Sequence, residues 1–237
     1  MRPFGYSTGA LAYSDFRRGI AMLHNRDIHT IELSALRESE LLPLVESVDA
    51  LDLSQFMYVA VHAPSQVGSN SEREIVSLLA RIRDRHWPII LHPDAVQDWS
   101  QWKGFGNILC IENMDKRKSI GRTAEELDGI FQKVPDASFC FDIGHARQVD
   151  STMTEAYVML KAFSARLRQV HLSEVNTRSK HDPLSYGSIL AFREVAHLIP
   201  ESVPIILETP VREDQIDSEI ERAIESLPLS QETTLAH

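Results

Sequence analysis

Eight short apolar runs punctuate the chain, separated by stretches of helical character. They lie near Pro3–Thr8, His29–Ser34, Met57–Ala63, Pro88–Pro93, Asn107–Asn113, Ser138–Asp142, Arg168–Ser173 and Pro204–Thr209. Runs this short and apolar read as buried strands. Between them, Ser14 caps a predicted helix through Arg26. Thr123, Ala124, Glu125 and Glu126 ahead of Leu127, Ile130 and Phe131 form a capping box that opens an amphipathic helix. Further helices are predicted over Glu38–Leu51, Glu72–His86, Thr154–Arg166, Ser188–Leu198 and Glu213–Leu227, with a shorter one over Asp94–Lys103 that carries Trp99 and Trp102. Strands alternating with helices imply a parallel sheet. Eight such units in 237 residues imply an α/β protein, a single-domain (β/α)8 TIM barrel over 1–227 with a disordered tail over 228–237. A doubly wound open sheet is the competing architecture, but no Gly-x-Gly-x-x-Gly turn follows any run.

The ends of the runs carry the chemistry. From Asp136 to Arg147 a strand closes on Asp142 and is followed three residues later by His145, a pairing that suits a divalent metal or, more simply, a turn capped by Asp142. The same ending recurs along the chain. Side chains alternate between the two faces of a strand, so His62, His92, Glu112, Asp142, His171 and Glu208 fall on one face, at the C-terminal ends, and Glu32 shares their parity. The opposite positions are Val59 and Val61, Ile89 and Leu91, Leu109 and Ile111, Phe139 and Phe141, Val170 and Leu172, Ile205 and Leu207. All are apolar, as an outer face covered by helices requires. Each polar residue alone reads as a hydrogen-bonded core group. Several carboxylates meeting at one rim would repel one another, and a bound cation is the simplest compensation. Cys110 and Cys140 share the inward parity and read as small barrel-filling residues.

Composition narrows the function. Lys and Arg number 24 against 34 Asp and Glu, a net charge of −10, which opposes nonspecific attraction to nucleic acid or an anionic membrane. Two cysteines make no disulfide framework, and no run approaches membrane-spanning length, so the expected location is the cytoplasm.

Taken in order, Val-His-Ala-Pro (61–64), Leu-His-Pro (91–93), Ile-Glu-Asn (111–113), Phe-Asp-Ile-Gly-His-Ala (141–146), Val-His-Leu-Ser (170–173), His-Asp-Pro-Leu-Ser-Tyr-Gly (181–187) and Leu-Glu-Thr (207–209) resemble the xylose isomerase-like TIM-barrel superfamily. That superfamily includes endonuclease IV, sugar-phosphate isomerases and ketose 3-epimerases. The resemblance to the epimerases implies one divalent ion on Glu112, Asp142, His171 and Glu208, with the two glutamates as acid and base and His145 on a substrate oxygen. The resemblance to endonuclease IV implies a larger set that adds His62, His92, His145 and His181. There Ser179 stands where an aspartate would complete the pattern, and Asp182 is out of register.

Mixed imidazole and carboxylate donors suit Mn, Zn, Fe or Co, in one to three ions. Glu32, Asn113, Arg147, Arg178 and Lys180 are the candidate substrate contacts, the three cations for a phosphate or carboxylate. The expected activity is metal-dependent isomerisation or epimerisation of a sugar, sugar phosphate or related small polyol by proton transfer beside a carbonyl, with Glu112, Glu208 and His145 catalytic. Hydrolysis of a phosphodiester or small metabolite is the first alternative, and a non-catalytic metal-binding or ligand-binding barrel the second. The expected partner is a small molecule, with DNA disfavoured by the acidic charge.

Overall fold

In the computed structural model, which describes residues 2–13, 15–68 and 70–229, all eight apolar runs form strands. They are β1 (Phe4–Ser7), β2 (Thr30–Ser34), β3 (Tyr58–His62), β4 (Ile89–Leu91), β5 (Leu109–Glu112), β6 (Ser138–Asp142), β7 (Leu167–Leu172) and β8 (Ile205–Leu207). Each pairs in parallel with the next, and β1 pairs with both β2 and β8, which closes the barrel. The helices are α1 (Thr8–Ala12), α2 (Phe16–Leu23), α3 (Glu38–Ser47), α4 (Glu72–Ala80), α5 (Ala124–Phe131), α6 (Ile143–Val149), α7 (Thr154–Ala162), α8 (Tyr186–Arg193) and α9 (Ile216–Ser226). An antiparallel ribbon, Glu174–Val175 with His181–Asp182, follows β7.

Strand parity sorts the core as expected. The outward residues of β3 to β8, Val59 through Leu207, join one large cluster between barrel and helices. Ala60, Ile90, Cys110 and Cys140 form a second cluster inside the barrel, with Tyr58 from the start of β3 packed against it. The two cysteines therefore fill space.

Several helix expectations need correction. Most helices are shorter than predicted and finish or begin as a 3-10 turn, at Val48–Ala50, Arg83–Arg85, Ser164–Arg166, Ala196–Leu198 and Glu213–Gln215. A tight turn re-aims the chain toward the next strand within a few residues, which an apolar pattern does not reveal. No α-helix lies between β4 and β5. Three 3-10 turns occupy that crossover, Pro93–Ala95, Trp99–Gln101 and Lys103–Ile108. The fully buried Trp102 fills the missing helix's place, with Nε1 donating to Glu72 at 2.9 Å. The Glu72 carboxylate also accepts from the backbone N–H of Gln97 (2.9 Å) and Asp98 (3.0 Å), so one buried anion replaces the satisfaction a helix would provide internally. Ser14 and residues 230–237, where most of the tail was expected, lie outside the described residues; α2 is capped by Asp15, whose Oδ1 accepts from Arg18 N at 2.9 Å. The described residues form a single-domain (β/α)8 TIM barrel, and no described helix is long and apolar enough to cross a membrane.

Candidate metal centre

The C-terminal rim of the barrel gathers the residues that parity selects. Glu112, at the end of β5, sits at their centre. Its Oε2 lies 3.3 Å from His62 Nε2, 3.4 Å from His92 Nε2 and 3.4 Å from His171 Nδ1, and its Oε1 lies 3.3 Å from His145 Nδ1. Glu208, just past β8, is 3.5 Å from His171 Nδ1 and 3.7 Å from His181 Nδ1. Asp142 caps α6 through Oδ1, which accepts from His145 N at 2.6 Å, while its Oδ2 stays 3.4 Å from His145 Nδ1. The capping reading of Asp142 therefore holds for Oδ1, while Oδ2 takes no part in the cap.

Local backbone geometry delivers these groups. Asn113 Nδ2 donates to Asp142 O and Asn113 Oδ1 accepts from Asp142 N, each at 2.8 Å, which locks the ends of β5 and β6 together. Gly144 lets the first turn of α6 press against β7's exit: a Cβ there would stand 2.4 Å from the Ser173 carbonyl oxygen. His62 Nδ1 donates to Ala63 O (2.6 Å) and His145 Nδ1 to Asn113 O (3.0 Å), bonds that orient each ring.

Two observations fit this set to a divalent cation. Glu112 Oε2, Asp142 Oδ2 and His171 Nδ1 are buried without a hydrogen-bond partner. Glu112, Asp142, His171 and Glu208 each offer one donor atom within 4.8 Å of the others, and His62, His92 and Glu112 form a second such group. Buried carboxylates this close are stable only if something positive lies between them. Among the described residues, His145 and His181 belong to no such group.

With protons alone to balance the carboxylates, the site is strongly polarised. Burial disfavours the His62 cation, but Glu112, Glu32 and Glu208 outweigh it and hold its pKa at about 9. Burial is likewise overridden at His145 by Asp142 and Glu112, to about 10, and at His171 by Glu208, Glu32 and Glu112, well above the usual range. Burial pushes Asp142 up to about 6, whereas burial and the neighbouring His145 bring His181 down to about 4. Burial also raises Glu208. At Glu112 burial acts the same way, but the surrounding imidazoles overcome it and hold the carboxyl well below its ordinary value.

The rim opens into a cleft of about 540 Å³ lined by His62, His92, Glu112, His145, His181 and Glu208. Its mouth carries Arg117, Lys118 and Lys180. Of these, only Lys180 is among the contacts expected from the sequence. Arg117 is held by Asp115 (3.1 Å) and the Ser179 carbonyl (2.9 Å), and Lys118 by Asp94 (2.7 Å). They come from the β5–α5 loop, and no pattern in that loop sets them apart from surface charge.

Four of the expected substrate contacts lie elsewhere. Glu32 is fully buried beneath the rim, its Oε2 2.8 Å from His171 Nε2, so it faces a neighbouring imidazole and not the cleft. Asn113 is committed to the Asp142 backbone. Arg147 leans toward Glu174 at 3.6 Å, and Arg178 is exposed beyond the cleft wall. Each has the right sequence neighbourhood, but the direction of its side chain depends on the closed barrel. His181 reaches the cleft through the ribbon, where Ser173 Oγ holds its Nδ1 at 2.7 Å. Ser179 Oγ is engaged with Gln148, and the exposed Asp182 accepts from Asn176, so neither replaces the missing aspartate.

No family model and no curated protein matches the sequence. Solved structures do resemble it. Endonuclease IV from Thermus thermophilus superposes with a TM-score of 0.60 at 19% identity, over 94% of this chain and 98% of that one. A 3-keto-D-glucoside 4-epimerase from E. coli gives 0.59 at 10%, over 95% and 99%. A magnesium complex from Mycobacterium smegmatis, described as a xylose isomerase-like TIM barrel protein, gives 0.61 at 11%, over 96% and 98%. Identities this low speak for the architecture alone: the chain shares the closed (β/α)8 barrel of these proteins.

Proposed function

We propose that this protein is a divalent-metal-dependent isomerase or epimerase acting on a sugar, sugar phosphate or related small polyol. The observation that carries this reading is the group Glu112, Asp142, His171 and Glu208, four donors from four successive strand ends beneath a cleft of small-molecule size. Bound there, a divalent cation would polarise a substrate carbonyl and stabilise the negative charge that develops on its oxygen. Glu112 and Glu208 both reach the cleft, so one carboxylate is placed to take a proton beside that carbonyl and the other to return one. His145 lines the same cleft and is placed to hydrogen-bond a substrate oxygen. Lys180 at the cleft wall suits a phosphate or carboxylate tail, while Arg117 and Lys118 beside it are paired with Asp115 and Asp94. The structural likeness to a 3-keto-D-glucoside 4-epimerase supports the same direction.

Hydrolysis is the second reading, favoured by His62 and His92 on the far side of Glu112 Oε2, where a second ion would find three donors. The likeness to an endonuclease IV fold points the same way, while Ser179 and the net charge of −10 oppose a three-ion phosphodiesterase on DNA.

The deciding experiment is metal content per chain in protein purified without chelator or affinity tag, followed by solvent deuterium exchange into candidate sugars. One ion per chain, lost in Glu208→Gln, together with exchange lost in Glu112→Gln, is the expected result. Two or three ions dependent on His62 and His92, with hydrolysis but no exchange, would replace the isomerase reading by the hydrolase one. No metal after reconstitution would overturn both.

A further inference from the structure

A chain of hydrogen bonds runs through the barrel interior and ends on His171. Tyr58 Oη donates to Gln169 Oε1 at 2.7 Å, Gln169 Nε2 donates to Glu32 Oε2 at 2.7 Å, and His171 Nε2 lies 2.8 Å from the same Glu32 oxygen. Gln169, Glu32 and His171 are fully buried, and 139 residues of sequence separate the last two. The Gln169 and His171 Nε2 atoms also lie 2.9 Å from each other, and an ionised carboxylate only accepts, so the arrangement that satisfies Glu32 Oε2 has both nitrogens donating to it side by side, with the ring's remaining lone pair on Nδ1. That Nδ1 is the atom left without a hydrogen-bond partner, between Glu112 at 3.4 Å and Glu208 at 3.5 Å. Tyr58 matters because it settles the amide: with its hydroxyl on Oε1, Gln169 turns its NH2 to Glu32, and the opposite orientation would set two oxygens against each other.

The geometry points to Glu32 as the positioning residue of the metal centre, with Gln169 and Tyr58 as its supports. The inference rests on the metal-site reading above. A carboxylate behind a ligating imidazole fixes its tautomer and ring plane and raises its basicity. Here it presents Nδ1 of His171 to the cleft side and prevents the ring from flipping to offer a protonated nitrogen. The competing role is that of a ligand. Glu32 Oε1 is buried and unpartnered, and Glu32, His62 and Glu208 also offer donor atoms within 4.8 Å of one another.

The test is a visible-absorption titration of the metal-free full-length chain with Co²⁺ alone, paired with cobalt content per chain after desalting. For Glu32→Gln the expected result is an unchanged cobalt count, an affinity lower by about 10- to 100-fold, and a shifted d–d band. Tyr58→Phe, too far down the chain to touch the ion, is expected to weaken binding severalfold with the count unchanged. The double variant should lose less than the product of the two single losses, because both act through one chain of bonds. A lower cobalt count in Glu32→Gln would make Glu32 a ligand and overturn the inference, as would wild-type affinity in both variants. If Glu32→Gln fails to fold, Tyr58→Phe decides alone, and unchanged affinity there overturns it. A wild-type chain that takes up no Co²⁺ would remove the metal reading itself, an outcome distinct from any variant result.

Discussion

Asp142 divides its two carboxylate oxygens between structure and site: Oδ1 accepts from the backbone N–H of His145 at 2.6 Å, and Oδ2 is buried, unpartnered, 3.4 Å from the same residue's ring. Asparagine can replace the first role and not the second, because its side-chain oxygen caps a helix about as well as aspartate does. Asp142→Asn is therefore expected to keep its metal-free unfolding midpoint within a few degrees of wild type while metal affinity falls at least tenfold. Asp142→Ala should lose the affinity and also about 1 kcal/mol of stability from the cap. Calorimetry with and without Mn²⁺ separates the two effects, and an Asn variant that binds metal like wild type would remove Asp142 from the ligand set.

Metal binding should release protons. His171, a donor of the four-residue group, has its pKa raised well above its ordinary value, and His62, beside Glu112, is held at about 9, so a cation bound there works against both protons, at His171 Nδ1 by direct displacement and at His62 by charge repulsion. The sign follows directly: affinity rises as pH increases from 6 toward 9, by up to a factor of ten per pH unit for each proton displaced. Isothermal titration in two buffers of different ionisation enthalpy checks it. Identical heats in both would show that these imidazoles are already neutral.

Lys180 is exposed at the cleft mouth and pairs with no carboxylate among the described residues, whereas Arg117, also exposed, and Lys118 are tied to Asp115 and Asp94. If the substrate carries a phosphate, Lys180→Ala should raise KM for it by about tenfold, equivalent to about 1.4 kcal/mol, and leave kcat near wild type. KM for a neutral analogue should barely move. An equal change for both substrates would mean that Lys180 shapes the ribbon and does not read charge.

Glu72 supports the one crossover that lacks an α-helix. Truncation to Ala would orphan the buried Trp102 Nε1 and the N–H groups of Gln97 and Asp98, and we expect a loss of about 3 kcal/mol or more. Glu72→Gln keeps an acceptor for Trp102 and should cost less. Urea unfolding followed by tryptophan fluorescence measures both, and equal stability of the two variants would argue that packing alone holds Trp102.

The barrel and its rim were legible in the chain because both depend on short-range rules. Alternation along a strand is built into the backbone, so once β5 ends on Glu112 and β6 on Asp142, both must face inward, as His62 and His171 do from their own strands. The apolar partners Ile111 and Phe141 must then face the helices, and they do. What lay beyond the sequence depends on closure. Glu32 shares the inward parity, yet only the circular order of strands sets it beneath His171 and away from a substrate. Arg117 and Lys118 look like any loop cations until the fold carries them to the cleft mouth. The absent helix after β4 escaped for a related reason: Trp99 and Trp102 fit an amphipathic turn, and only a carboxylate 30 residues earlier, at Glu72, stabilises a non-helical path. A residue's face follows from its immediate neighbours along the chain, whereas the group it meets there is chosen by strands and loops that arrive from elsewhere in the barrel.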